Sequence, residues 1–156
     1  MIKNIAFVAH DARKVELTDW VRRNASLLRG NELFCTGTTG RLIEACLSEI
    51  LGSESPRVNR LLSGPLGGDA QIGAMIAEGK IDMLIFFCDN LIVQGHQSDI
   101  QGLVRLASLY NIPFATNAST ADFLFNSTLF KDPYYIHQLP RCIERYRTRR
   151  LESDPQ

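Results

Sequence analysis

The chain has 156 residues, 45% of them hydrophobic and 22% charged, which is the make-up of one ordinary globular domain with a sizeable core. Its 17 Lys and Arg balance its 17 Asp and Glu, excluding a global field that would recruit nucleic acid or an anionic membrane, so an anionic ligand must be held by a local site. Cys35, Cys46, Cys88 and Cys142 form no close pair and no metal-ligand spacing. They read as free thiols of a reducing compartment. With no secretory h-region and no apolar run of membrane-spanning length, the expected location is cytoplasmic.

Ile5 to Ala9 is a short apolar run that reads as a buried strand ending at His10-Asp11. The apolar positions Val15, Leu17, Trp20, Val21, Leu27 and Leu28 predict one amphipathic helix from about Arg13 to Leu28, ended by Gly30. A second strand covers Glu32 to Cys35, and Thr36-Gly37-Thr38-Thr39-Gly40 turns the chain into a helix near Arg41 to Leu51. After a breaker-rich loop at Gly52 to Pro56, Asn59 to Leu62 reads as a brief strand running into Ser63 to Asp69. A helix then fits Ala70 to Glu78, and Met83 to Phe87 is the clearest buried strand. Beyond a long loop come a helix at Ile100 to Tyr110, a strand at Pro113 to Thr116 and a helix at Pro140 to Arg150. The whole reads as one domain over residues 1–150 with a polar tail at 151–156. Strands alternating with helices predict a three-layer α/β domain, a mainly parallel five-stranded sheet with helices on both faces.

In such sheets ligands bind beyond the carboxyl ends of the strands. Four polar clusters fall there: His10-Asp11, Thr36 to Gly40, Ser63 to Asp69, and Asp89 to Asp99. The threonines and glycines of the second cluster open a helix, where backbone amides, hydroxyls and the helix dipole favour an anion. The Ser63-Gly64-Pro65 turn offers a second set of donors, and Lys14 brings a compact positive charge. Each turn alone also fits an ordinary capped strand-to-helix connection. Neither a Walker loop nor a G-x-G-x-x-G follows the first strand, which points to phosphate on a small molecule. Asp69, Asp89 and Asp99, with His96, could supply a base and an acid whose proton affinities are pushed apart. The plainer readings are a helix-capping Asp69 and solvated loop residues. A metal site lacks paired ligands, and no G-x-S-x-G marks a nucleophile.

Taken together, V-A-H-D at Val8 to Asp11 with Lys14, T-G-T-T-G at Thr36 to Gly40, and L-S-G-P-L-G-G-D at Leu62 to Asp69 resemble methylglyoxal synthase. So do E-G-K-I-D-M-L-I-F-F at Glu78 to Phe87, N-I-P-F-A-T-N at Asn111 to Asn117 and T-A-D-F at Thr120 to Phe123. The resemblance implies a Rossmann-type fold of that family and conversion of dihydroxyacetone phosphate to methylglyoxal and inorganic phosphate, with no cofactor and no metal. It makes Asp69 the base, His96 the donor to the carbonyl oxygen, and Asp89 and Asp99 supporting carboxylates. His10, Lys14, Thr36, Gly37, Thr38, Thr39, Ser63, Gly64 and His96 fall on its substrate-binding positions. It further implies a homohexamer inhibited by phosphate, with Arg150 the best match for an arginine reaching a neighbouring subunit's site.

Three departures stand out. Cys88-Asp89-Asn90 replaces an aromatic-Asp-Pro, His96-Gln97-Ser98-Asp99 replaces His-Asp-Pro-Asp, and the segment between Gly40 and Ser63 is several residues longer. The first two loosen the loop that carries His96. The competing expectation is a non-catalytic, effector-binding regulatory protein of the same fold, as in carbamoyl phosphate synthetase. Retention of Asp69, His96 and Asp99 favours the enzyme.

Overall fold

The computed structural model describes residues 2–93 and 95–148. Five strands, β1 (Asn4–Ala9), β2 (Glu32–Thr36), β3 (Arg57–Leu61), β4 (Met83–Phe87) and β5 (Phe114–Ala115), form one sheet in the order β3-β2-β1-β4-β5. Every pairing is parallel. β4 is apolar throughout and β1 is apolar from Ile5 to Ala9, because both faces are covered. Ile5, Phe7 and Ala9 of β1 share one core with Met83, Ile85 and Phe87 of β4. The alternate residues Ala6, Val8, Leu84 and Phe86 share the other. This two-residue period is the strand's own geometry.

The first core is closed by α1 (Lys14–Arg23), α2 (Ala25–Leu28), α3 (Gly37–Leu51) and α6 (Ala118–Asn126). The second is closed by α4 (Gly68–Ala77) and α5 (Gln97–Leu109). Leu17, Trp20 and Val21 bury one stripe of α1, as the three-and-four spacing requires. Trp20 stacks edge-on against Phe125 of α6 at 4.8 Å and donates its indole N–H to Asp122 at 2.7 Å. Truncating so large a buried ring to alanine costs about 3–5 kcal/mol. Two short helices complete the described chain, α7 (Thr128–Lys131) and α8 (Arg141–Thr148).

Several element boundaries differ from the sequence expectations for identifiable reasons. The single helix expected from Arg13 to Leu28 is split at Asn24, whose side-chain amide donates to the Trp20 carbonyl at 3.0 Å and competes with helix continuation. The helix expected from Arg41 begins at Gly37, so the T-G-T-T-G run is itself its first turn. Likewise α4 begins at Gly68, placing Asp69 inside the helix rather than before it. Helices α6 and α7 answer to no element expected there. Among the described residues no helix is long and apolar enough to cross a membrane.

Candidate active site

The order β3-β2-β1-β4-β5 reverses direction at β1 and β4, and the crevice beyond their carboxyl ends is where such sheets take ligands. A cavity of about 260 Å³ opens there. His10, Lys14, Thr36, Thr38, Thr39, Ser63, Gly64, Asp69 and His96 all line it, contributed from behind four strands. Gly37, Asp89 and Asp99 do not face it.

The anion-binding side is built from backbone. Thr36 and Thr39 are buried at the mouth of α3. The Gly37 N–H is spent on the Leu62 carbonyl at 3.1 Å, stitching the β2 turn to the β3 turn. The N–H groups of Thr38 and Thr39, in the helix's first turn, have no carbonyl one turn back to accept them and suit an anion. Lys14 reaches the rim, where Asp11 pairs with it.

Glycines allow the parts to meet. A Cβ on Gly68 would lie 2.0 Å from the Leu62 carbonyl oxygen, so only glycine lets α4 start against the β3 turn and carry Asp69 to the cavity floor. A Cβ on Gly64 would lie 3.1 Å from both Asp69 Oδ2 and His96 Cε1. The substrate-facing wall therefore has no room to spare at residue 64.

Asp69 is 1% exposed. Its Oδ2 lies 3.0 Å from His96 Nδ1, yet neither carboxylate oxygen nor that nitrogen makes an aligned hydrogen bond. The two groups meet at ion-pair distance. Asp69 does not serve as a helix cap, since α4 has no side-chain cap bond. Burial raises its proton affinity above the ordinary carboxylate range, while His96 and then His10 pull it back and Asp99 adds slightly to the rise.

His10 is also buried, edge-on to Phe86 at 5.1 Å and to His96 at 6.3 Å. Its Nδ1 accepts the Asp89 backbone N–H at 2.8 Å. An amide can only donate, so the neutral ring carries its proton on Nε2, which is buried and unpartnered. Burial, then the neighbouring His96, lowers the affinity of this ring for a second proton.

Asp89 turns its own carboxylate back to the Leu91 N–H at 3.0 Å. Asp99 is exposed in the first turn of α5 and lines a separate groove between α4 and α5, whose other end is Asp69. Both act on the cavity through their charge. Arg150 lies outside the described residues. Among the described residues no group of three His, Cys, Asp or Glu is placed to hold a metal ion.

Sequence reasoning missed Phe86 in the wall and Arg13 beneath it, while Asp11 and Pro65, both in polar clusters singled out from the sequence, line the cavity. The three-residue spacing of Asp11 and Lys14 was a legible signal for that pair. Nothing in the sequence points from Arg13 to the Cys88 carbonyl it binds.

Residues 16–116 match the family model of the MGS-like domain. Methylglyoxal synthase of Pectobacterium atrosepticum is 51% identical over 134 residues, covering 86% of this chain and 84% of that protein. Methylglyoxal synthase of Coxiella burnetii is 45% identical over 148 residues, covering 95% of this chain and 97% of its own length. The crystal structure of methylglyoxal synthase from Elizabethkingia anophelis superposes with a TM-score of 0.80 at 41% identity, covering 96% of this chain and 93% of that one. With an anion cradle and an unpartnered buried carboxylate meeting in one cavity, and with relatives matching nearly end to end, this chain belongs to the methylglyoxal synthase family.

Proposed function

We propose that the cavity converts dihydroxyacetone phosphate to methylglyoxal and inorganic phosphate, with Asp69 as the base. The observation that carries this reading is Asp69 itself, sealed from solvent with both oxygens unpartnered beside a ready-made anion cradle. A module that only bound an effector would gain nothing from burying such a group, which is costly to desolvate.

The carboxylate takes a proton from the substrate's hydroxymethyl carbon, and the C–H electron pair becomes the double bond of an enediolate. His96 donates to the former carbonyl oxygen, where charge develops, and His10 Nε2–H offers a second neutral donor. Collapse of the enediolate breaks the carbon–oxygen bond to phosphate, which leaves with the electron pair and takes up the hydroxyl proton of the carbon that becomes the aldehyde. The remaining enolate takes on its terminal carbon a proton equal to the one Asp69 removed, and becomes methylglyoxal. Atoms and electrons balance within the substrate, so the step calls for no redox partner.

Elimination is fast only when the breaking bond stands perpendicular to the enediolate plane. Thr36, Thr38, Thr39, Ser63, Gly64 and Lys14 must therefore fix the phosphate's direction as well as its charge. Released phosphate fits the same cradle and acts as an inhibitor in this reading. We extend to the chain the cytoplasmic location and the homohexameric assembly that the resemblance implies, the latter testable by light scattering.

The deciding experiment supplies purified protein with dihydroxyacetone phosphate and scores both products. Methylglyoxal and phosphate should appear in equal amounts. Phosphate without methylglyoxal would mean simple ester hydrolysis and would overturn the reading.

A further inference from the structure

The peptide between Cys88 and Asp89 is used from both ends. Its N–H donates to His10 Nδ1 at 2.8 Å, and its carbonyl accepts from Arg13 Nη1 at 2.7 Å. The rest of the Arg13 guanidinium is held by Glu16, with Nε to Oε2 at 2.7 Å and Nη2 to Oε1 at 3.1 Å. Residue 13 is tied to His10 a second time, since its backbone N–H donates to the His10 carbonyl at 2.9 Å. The guanidinium lies 5.9 Å from the centre of the Phe87 ring, and Cys88 stands where the family resemblance calls for an aromatic. Arg13 therefore fastens the end of β4 to the segment that carries His10.

We propose that Arg13 is a positioning residue that fixes the tautomer and pose of His10 through the Cys88–Asp89 peptide. A planar fork clamped on one side by a carboxylate can present its remaining N–H in only one direction. A cation on the carbonyl oxygen polarises the peptide and strengthens its N–H as a donor. That donor occupies Nδ1, leaving the ring proton on the buried Nε2. Such a device is called for because the surroundings disagree about His10. Burial and His96 oppose a second proton, but Asp69 and Asp89 favour it, and Asp11 adds a further nearby carboxylate. The amide at Nδ1 decides the matter for the neutral ring.

The catalytic consequence rests on the function proposed above, but the tautomer does not, so the two can fail separately. In the full chain, nitrogen NMR of the His10 ring should show one tautomer, protonated at Nε2, with coupling across the Asp89 N–H to Nδ1. A wild-type ring protonated at Nδ1 would overturn the proposal before any variant is made. Arg13→Met keeps the apolar stem and removes every donor. It should mix the His10 tautomers and lower kcat about tenfold, the low end for losing a partner that orients a histidine, with phosphate affinity within about twofold of wild type. Arg13→Lys, which returns a cationic donor to the Cys88 carbonyl, should recover most of both signals. A pure Nε2–H tautomer in Arg13→Met overturns the proposal whatever the rate does. A chain that makes no methylglyoxal defeats the reaction reading, and the ring spectra still decide this one.

Discussion

The two halves of the cavity are held in opposite ways. On the cradle side the β2 turn is tied to the β3 turn by Gly37 N–H to Leu62 at 3.1 Å, and the β3 turn is closed on itself by Leu66 and Gly68 N–H to Ser63, both at 3.0 Å. On the other side His96 hangs at the far end of the segment that follows β4. That segment is fastened at its base by the His10 and Arg13 contacts, then carries Leu91, Ile92 and Val93 outward at 97, 63 and 87% exposure. In the proposed reaction the binding half is held by short backbone links, whereas the half that would act on the carbonyl is carried on a longer path from the end of β4. Substitutions in the cradle should therefore speak through affinity, and those around His96 and Asp69 through turnover.

The sharpest break in that comparison is Asp69→Asn, which keeps the shape and removes the proton acceptor. Turnover should fall by at least about a hundredfold, as for loss of a general base, while calorimetry finds phosphate binding intact. The same variant should be more stable than wild type at neutral pH. The folded state binds this proton more tightly than the unfolded chain does. Its contribution to stability is thus fully present below the unfolded carboxylate range and lost as pH rises through the raised folded value. Replacing it should return about 1 kcal/mol at neutral pH, seen as a higher Tm, and the gain should vanish in strong acid.

A hydroxyl in the cradle should show the reverse pattern. Thr38→Val removes a donor that lines the cavity at nearly constant volume. Phosphate and substrate should each bind about 1.5–3 kcal/mol more weakly, the worth of a hydrogen bond to a charged group, with kcat changed far less. Unaltered phosphate affinity would make the T-G-T-T-G turn purely structural.

The smallest effect is expected in the loop. Ser98 lies in the first turn of α5, where an N–H has no intrahelical partner, so proline there removes no helix bond. Asn90→Pro with Gln97→Asp and Ser98→Pro should restrict the path to His96 and raise kcat about two- to fivefold, equivalent to the roughly 0.4–1 kcal/mol that such restriction supplies. Phosphate affinity should not move. A folded triple variant with unchanged kcat would show that the contacts at the loop's two ends already order His96.

The parallel sheet and the cradle were legible in the sequence because each leaves a local signal. Five-residue apolar runs such as Met83 to Phe87 announce strands covered on both faces, and a Thr/Gly cluster after a strand announces a helix mouth. Asp69 was legible as the end of the polar L-S-G-P-L-G-G-D run that follows a strand, although the reason for Gly68, the Leu62 carbonyl 2.0 Å from its missing Cβ, is visible only in the fold. What stayed hidden depends on contacts distant in the chain. The His10 tautomer is set by an amide 79 residues away, and Arg13 acts on a carbonyl 75 residues away. Helix α6 was missed because Ser119, Thr120 and Asp122 crowd its start and its large apolar residues, Phe123, Leu124 and Phe125, run consecutively rather than at helical spacing, and its formation relies on Asn117 accepting from the Thr120 N–H at 2.9 Å and on Phe125 reaching Trp20.

The account's central claim is that burial makes Asp69 a working base, and the pH dependence of kcat at saturating substrate tests it most directly. Saturation removes the ionisation of the free phosphate ester from the profile, and the Asp69→Asn control separates this carboxylate from the other ionisable side chains around the cavity. The ionised carboxylate is the active form, so kcat should fall about tenfold per pH unit on the acid side. The midpoint should lie above the ordinary aspartate value of 3.8, and the residual activity of Asp69→Asn should lack that limb. A wild-type rate that stays flat down to the ordinary carboxylate range, or an acid limb that survives unchanged in Asp69→Asn, would contradict the claim.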